Sequence, residues 1–152
     1  MADEINIREV SGCICLRLRR AARQVTQIYD RALEPVGLTV NQFGVLAILY
    51  GSSMQGHSGL SIGTLADRIG KHATTLNRDL KLLKARRLLF VDVSSADHRV
   101  HAVKISGKGR ETLRKAVPYW RDAQTEVIQA LGANAALGLK DLLDLTSAKL
   151  RE

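Results

Sequence analysis

The sequence predicts a mainly α, α+β fold: a helix-turn-helix followed by a small β-hairpin, carried between long helices at both ends. Three observations predict it. Apolar residues recur at three- and four-residue steps through most of the chain. Between Ser61 and Arg87, a short capped helix and a second, basic helix stand only two or three residues apart, the spacing of a helix-turn-helix. The period then changes for two short runs rich in β-formers. The 152 residues suffice for one domain or two small lobes sharing a core. Aromatics make up only 4%, so that core must rest on Leu, Ile, Val and Ala.

Residues 13–33 read as the first long helix, with Leu18, Ala21, Ala22, Val25, Ile28, Tyr29, Ala32 and Leu33 on its apolar face; Pro35 and Gly37 end it. Thr39 and Gln42 have capping-box spacing for the next helix. Its stripe is Phe43, Leu46, Ala47 and Tyr50, and Gly51 is expected to stop it. Residues 52–59 form a polar loop. Ser61 caps a short helix with Ile62, Leu65, Ala66 and Ile69 inward, and Gly70 ends it. Residues 71–87 form the next helix. The runs 88–95 and 99–105 are strands, joined by the polar turn Ser-Ser-Ala-Asp-His. Ser106 then caps a long helix with Leu113, Val117, Trp120, Gln124, Val127 and Leu131 at helical steps and Pro118 in its interior. After a break at Gly132, Asn134 is expected to cap a last helix.

Helix-turn-helix then hairpin is the order of a winged helix. The lobe spans 38–106, and residues 1–37 and 107–152 supply the outer, dimerisation helices. Ile5, Ile7 and Val10 at one end, and Leu139, Leu142, Leu143 and Leu150 at the other, find no partner inside so small a domain. Stripes of that kind mark a subunit interface, so a homodimer is expected.

The net charge is +8 and the sequence pI about 9.9, which biases the chain toward polyanions. No apolar run approaches the roughly 20 residues that span a bilayer. The N-terminus is acidic at first and is no signal peptide. Two cysteines, as Cys13-Ile14-Cys15, make neither a disulfide framework nor a zinc site. A cytoplasmic protein without membrane contact, cofactor or metal is expected. There is no Gly-rich phosphate loop after a strand and no Ser/His/Asp order in a credible context, so an enzyme is not expected.

The stretches LTVNQFGVLAIL, LSIGTLADRIG, TTLNRDLKLLKARRLL and DHRVHAVKISGKGR carry a family likeness. Asp97-His98-Arg99, then Ile105-Ser106 and Gly109-Arg110, match a wing pattern of Asp-x-Arg, a strand, Leu-Thr and a Gly-Arg helix start. In these features the chain resembles the multiple antibiotic resistance regulator (MarR) family of bacterial winged-helix repressors. The resemblance covers nearly the whole chain. It implies a dimeric DNA-binding transcriptional regulator acting on a pseudo-palindromic double-stranded operator, with affinity changed by a small aromatic or phenolic effector or by oxidation. A winged-helix module that binds protein is the alternative. Two positions depart from the pattern: Arg87 stands where the family often has Gly, and Asp92 lies near the place of a basic residue.

On a helical wheel Ala73, Leu76, Leu80 and Leu83 share one face, and Thr74, Arg78 and Lys81 lie opposite. From Lys71 to Arg87, six basic residues face one acidic, leaving +5 of the chain's +8 here. Arg78 is the candidate base reader, through bidentate bonds to guanine. Thr74, Thr75 and Asn77 are candidates for base edges or phosphate, Lys71 and His72 for phosphate at the helix start. Lys81, Lys84, Arg86 and Arg87 are further phosphate candidates. Arg99 at the hairpin tip is the minor-groove candidate, with His98 beside it. In the family the motif's Asp orients that Arg, which gives Asp97 its role. The resemblance also implies an anion site between dimerisation helices and DNA lobe. Tyr29, Phe43, Tyr50, Tyr119 and Trp120 are its candidate walls, and Arg17, Arg20 or Arg23 its cation. Cys13 and Cys15 read either as redox thiols, with arginines nearby to lower a thiol pKa, or as two small buried apolar residues.

Overall fold

The computed structural model describes residues 5–93 and 101–150. The tip of the expected hairpin, with Asp97, His98 and Arg99, lies outside the described residues. The elements in order are α1 (Ile7–Ser11), α2 (Ile14–Leu33), a 3-10 turn (Glu34–Val36), α3 (Val40–Met54), β1 (Leu60–Ser61), α4 (Ile62–Ile69), α5 (Ala73–Ala85), β2 (Leu89–Val93), β3 (His101–Ile105), α6 (Gly107–Leu131) and α7 (Ala133–Lys149).

Most boundaries follow from side-chain chemistry. Thr39 and Gln42 form a full capping box at the start of α3. Ser61 accepts from the Thr64 amide to open α4, and Ser106 from the Gly109 amide to open α6. Gly37 and Gly70 stop their helices in the left-handed conformation that glycine adopts at least cost. Arg87 takes the same conformation, with φ 59°, at the exit of α5, where the family often has glycine. Its amide donates to Lys84 O and that of Leu88 to Leu83 O, closing the helix end despite the Cβ.

Five expectations are corrected. Gly51 does not stop α3, which runs on to Met54: a glycine in mid-helix costs only about 1 kcal/mol, less than the helix gains by packing. The hairpin is part of a three-stranded antiparallel sheet of order β1-β3-β2, because Leu60 and Ser61 pair with Val103 and Ala102. The first long helix begins after Cys13, its N-cap, and a separate helix α1, capped by Asn6, precedes it. Asn134 lies inside α7; the chain turns at Gly132, φ 82°, one residue before that helix begins. Ala73, on the wheel's apolar face, is exposed because it stands in the first turn of α5, beyond the core's edge. Pro118 lies within α6, which continues through it.

The core gathers Leu33, Leu46, Leu65, Leu76, Leu83, Leu88, Leu89 and Val103, all fully buried. Leu76, Leu80 and Leu83 seat one face of α5 on this core. The helix α6 packs along α2 and also touches α3. Its first turn meets the end of α5 at very close range: a Cβ on Gly109 would lie 2.0 Å from the Leu88 carbonyl oxygen. Backbone stands on that side, so Gly109→Ala is expected to lower stability by about 3 kcal/mol, at the upper end for overpacking. A urea midpoint equal to the unsubstituted protein's contradicts this packing account.

Candidate nucleic-acid interface and ligand hollow

The helix-turn-helix is α4, the turn Gly70-Lys71-His72, and α5. With Leu76, Leu80 and Leu83 buried, α5 presents Thr74, Thr75, Asn77, Arg78 and Lys81 to solvent, together with the half-exposed Leu82. Among the described residues none of these five side chains has a hydrogen bond or ion pair within the chain. His72 is the N-cap and offers no side-chain cap bond. The first amides of α5 therefore face outward beside an exposed imidazole, an arrangement that favours an anion. Lys81 and Lys84 rim a hollow of about 300 Å³ between α5 and β2, floored by Leu80, Val91 and Val93.

Two cations of the expected phosphate set are already engaged. The Lys71 ammonium lies 2.8 Å from an Asp79 carboxylate oxygen, and both side chains are largely buried. The pair ties the turn to the second turn of α5, so Lys71 holds geometry. Arg86 donates through Nη2 to Val36 O at 3.3 Å and through Nη1 to Gly37 O. Neither engagement was visible in the charge pattern, because each partner lies eight or about fifty residues away. On the sheet, Lys104 of β3 pairs with Asp92 of β2 at 2.8 Å, so the acidic residue at the departing position has a cation opposite it.

The effector candidates divide among three places. Phe43 and Tyr50 line a hollow of about 500 Å³ with Ala47, Arg110, Leu113, Arg114 and Val117. Trp120 stacks behind Phe43, ring centroids 5.9 Å apart and planes 11° from parallel, so it braces the wall. Tyr29 donates to Gln124 Oε1 and binds α2 to α6. Arg20 lies in a separate hollow on α2 with Leu16, Arg19 and Arg23. The hollow's cations are instead Arg110 and Arg114, and the Arg110 guanidinium stands 5.9 Å from the Tyr50 ring centroid. Sequence reasoning used Arg110 only as a motif residue. The signal that locates it is spacing: 110, 113, 114 and 117 share one helical face.

Cys13 is half-buried and Cys15 exposed, and both thiols are free. Two buried apolar residues they are not, in this chain taken alone. Among the described residues no His, Cys, Asp or Glu group comes together as a metal site, and no single helix is long and apolar enough to cross a membrane.

Against known proteins, no protein-family model matches the chain, and no curated protein matches it. Solved structures do. The transcriptional regulator MosR from M. tuberculosis, solved in complex with DNA, is 37% identical, with 91% of this chain and 99% of that one covered and a TM-score of 0.73. A second MosR structure is 39% identical, covering 90% and 95%, at 0.75. BpsR from Bordetella bronchiseptica, described with regulation of its DNA binding by 6-hydroxynicotinic acid, is 25% identical, covering 90% and 94%, at 0.75. The chain belongs to the MarR family of transcriptional regulators. As in that family, a helix-turn-helix and a sheet are framed here by long terminal helices.

One consequence concerns pH. Burial pushes the Tyr29 phenol above its ordinary value. A raised folded-state value means that stability is full below the unfolded value of about 10 and falls as pH climbs through the folded one. Tyr29→Phe is expected to cost about 1 kcal/mol near neutrality, through the lost Gln124 bond, and to flatten the decline above about pH 10. Thermal melts from pH 7 to 11 check both; an unchanged alkaline slope goes against it.

Proposed function

We propose that this MarR-family regulator binds double-stranded DNA as a homodimer, with α5 of each subunit in a major groove. The observation that carries the reading is the outer face of α5: Thr74, Thr75, Asn77, Arg78 and Lys81 are exposed and, among the described residues, unpaired, on a helix whose other face is locked into the core. Arg78 reads a base, Thr74, Thr75 and Asn77 contact base edges or phosphate, and His72, Lys81, Lys84 and Arg87 neutralise phosphate. Arg99, oriented by Asp97 and flanked by His98, is assigned to the flanking minor groove from the family's wing motif. The lobe spans 38–106, and the outer segments 1–37 and 107–152 carry the dimer. Their unpartnered apolar side chains support this: Ile7, Ile14, Leu142 and Leu145 are each more than half exposed in the single chain. The operator is then a pseudo-palindrome with half-sites about 34–36 Å apart or a multiple of that. The protein is a repressor and not an enzyme, and it works in the cytoplasm.

The effector is a small aromatic acid. The hollow of Phe43, Tyr50, Leu113 and Val117 is apolar and large enough for one ring system, and Arg110 and Arg114 supply the counter-charge. BpsR, regulated by a hydroxylated aromatic acid, supports the class. Oxidation of Cys13 and Cys15 is a second input that their free thiols leave open.

Fluorescence anisotropy against DNA from immediately upstream of the protein's own coding sequence tests the main reading. Binding is expected to be sharp, competitor-resistant and salt-sensitive. Arg78→Ala is expected to lose about 1–3 kcal/mol on the operator with relaxed choice at one base pair. Unchanged affinity and unchanged base preference remove Arg78 from its role. For the hollow, Arg110→Ala is expected to weaken a hydroxybenzoate that shifts the wild-type melting temperature by about tenfold or more. Equal shifts in both proteins place the ligand elsewhere.

A further inference from the structure

Arg86 was expected to meet phosphate, yet its side chain is turned back into the protein. It stands at the C-cap of α5. Its guanidinium reaches two successive carbonyls, Val36 and Gly37, in the turn that terminates α2. Carbonyls at a helix C-terminal end carry the negative pole of the helix and lack intrahelical donors, so a cation there is held by charge as well as by hydrogen bonds. Gly37, with φ 66°, takes the left-handed conformation that glycine adopts at least cost, and its carbonyl accepts from Arg86 Nη1. From the other side, Lys108 Nζ donates to the Arg86 carbonyl at 3.1 Å. One residue at the exit of α5 thus touches the end of α2 through its side chain and the start of α6 through its backbone.

We infer that Arg86 is a positioning residue that fixes the distance between the two α5 helices of the dimer, and thereby the half-site spacing the protein accepts. The inference rests on the DNA-binding reading above. Within its own lobe α5 is seated on the core by Leu76, Leu80 and Leu83, and Ser106 and Lys108 tie its exit to the start of α6. Arg86 adds the tie from that exit to the end of α2. The guanidinium meets the two carbonyls with two nitrogens held in a rigid planar fork, whereas an ammonium offers its three N–H groups from one freely turning point and fixes their positions less firmly. Charge at position 86 is therefore insufficient: the fork itself is required.

The test compares wild type, Arg86→Lys and Arg86→Gln on the operator and on versions with one base pair inserted or removed between half-sites, over a salt series. Melting curves establish first that each variant is folded; if the Gln variant is not, the Lys variant alone decides. For Arg86→Lys, the preference for native spacing over the altered spacings is expected to fall about fivefold to tenfold, the effect of one or two hydrogen bonds. The salt slope is expected to equal wild type in both variants. A phosphate contact gives the reverse: Arg86→Lys keeps spacing preference and slope, while Arg86→Gln loses about 0.9 from the slope and weakens all spacings alike. That second pattern overturns the inference while leaving the DNA-binding reading intact. A wild-type protein with no sequence-specific binding removes both, and only that result touches the earlier reading.

Discussion

Everything in this chain that faces outward to DNA depends on a backbone contact that faces inward. At the junction of α5, β2 and α6, Gly109 lies against the Leu88 carbonyl so closely that no side chain fits between them. The Ser106 amide donates to the same carbonyl at 3.1 Å, and the Ser106 hydroxyl to the Arg87 carbonyl at 2.7 Å. Buried carbonyls must be satisfied or they cost stability. Here the donors that satisfy them come from the first turn of the long helix. The exit of α5 and the entry of α6 are thus one hydrogen-bonded unit. Leu88 and Leu89, both buried, anchor that unit in the core.

With that junction fixed, the division of α5 into two faces follows. Leu76, Leu80 and Leu83 repeat at four- and three-residue steps and are buried. Of the polar residues between them, Asn77, Arg78 and Lys81 go to solvent, while Asp79 turns back to Lys71. The face is cationic without a cancelling acidic partner, since the helix's one carboxylate, Asp79, is spent on Lys71. Exposed charges of one sign in water cost little, and they become useful when a polyanion releases its counterions. The basic excess of the whole chain is concentrated where the core has already fixed the direction of the side chains.

The sequence was most informative where a side chain satisfies a backbone group a few residues away. Thr39, Ser61 and Ser106 announce helix starts because the amide they cap is two or three residues on. The apolar stripe of α4 and the buried leucines of α5 were legible for the same reason: helical geometry is local. On α3, which packs against α4, β3 and α6, Val45 and Leu49 are buried outside the expected stripe and Tyr50, within it, is exposed. What escaped was non-local or very short. β1 has two residues, too few for a period, and exists only because β3 offers a free edge. Asn134 has the right chemistry for a cap, but Gly132 turns the chain first. The pairs Lys71–Asp79 and Arg86–Val36 could not be read, because a charge count treats every cation as free. That Thr74, Thr75, Asn77, Arg78 and Lys81 lie on the outer face of α5 was legible; the cations of the hollow were not, since Arg110 and Arg114 become neighbours of Tyr50 only once α6 has packed against α3.

The same junction supplies a physical route from ligand to DNA. Arg110 and Arg114 occupy the first two turns of α6, directly after the residues that bind the Arg86, Arg87 and Leu88 carbonyls. On the proposed reading, an aromatic acid seated between Tyr50 and these arginines would act on α3 and on α6 together. It shifts nothing unless it binds one relative position of the two helices better than the other. The hollow meets that condition, because its walls belong to different elements: Phe43 and Tyr50 to α3, Arg110, Leu113, Arg114 and Val117 to α6. A small change in their separation alters the ligand's contacts. Since the start of α6 and the exit of α5 are bonded as one unit, a shift of α6 against α3 carries the exit of α5 with it. Close packing makes such a shift discrete: Gly109 has no room to yield gradually, so strain passes on to the contacts that can let go. Of those, the exposed fork of Arg86 on the end of α2 is the weakest, since water competes for both of its carbonyls. On the proposed reading, ligand and operator would therefore oppose each other through the geometry of that one turn, without sharing a single side chain.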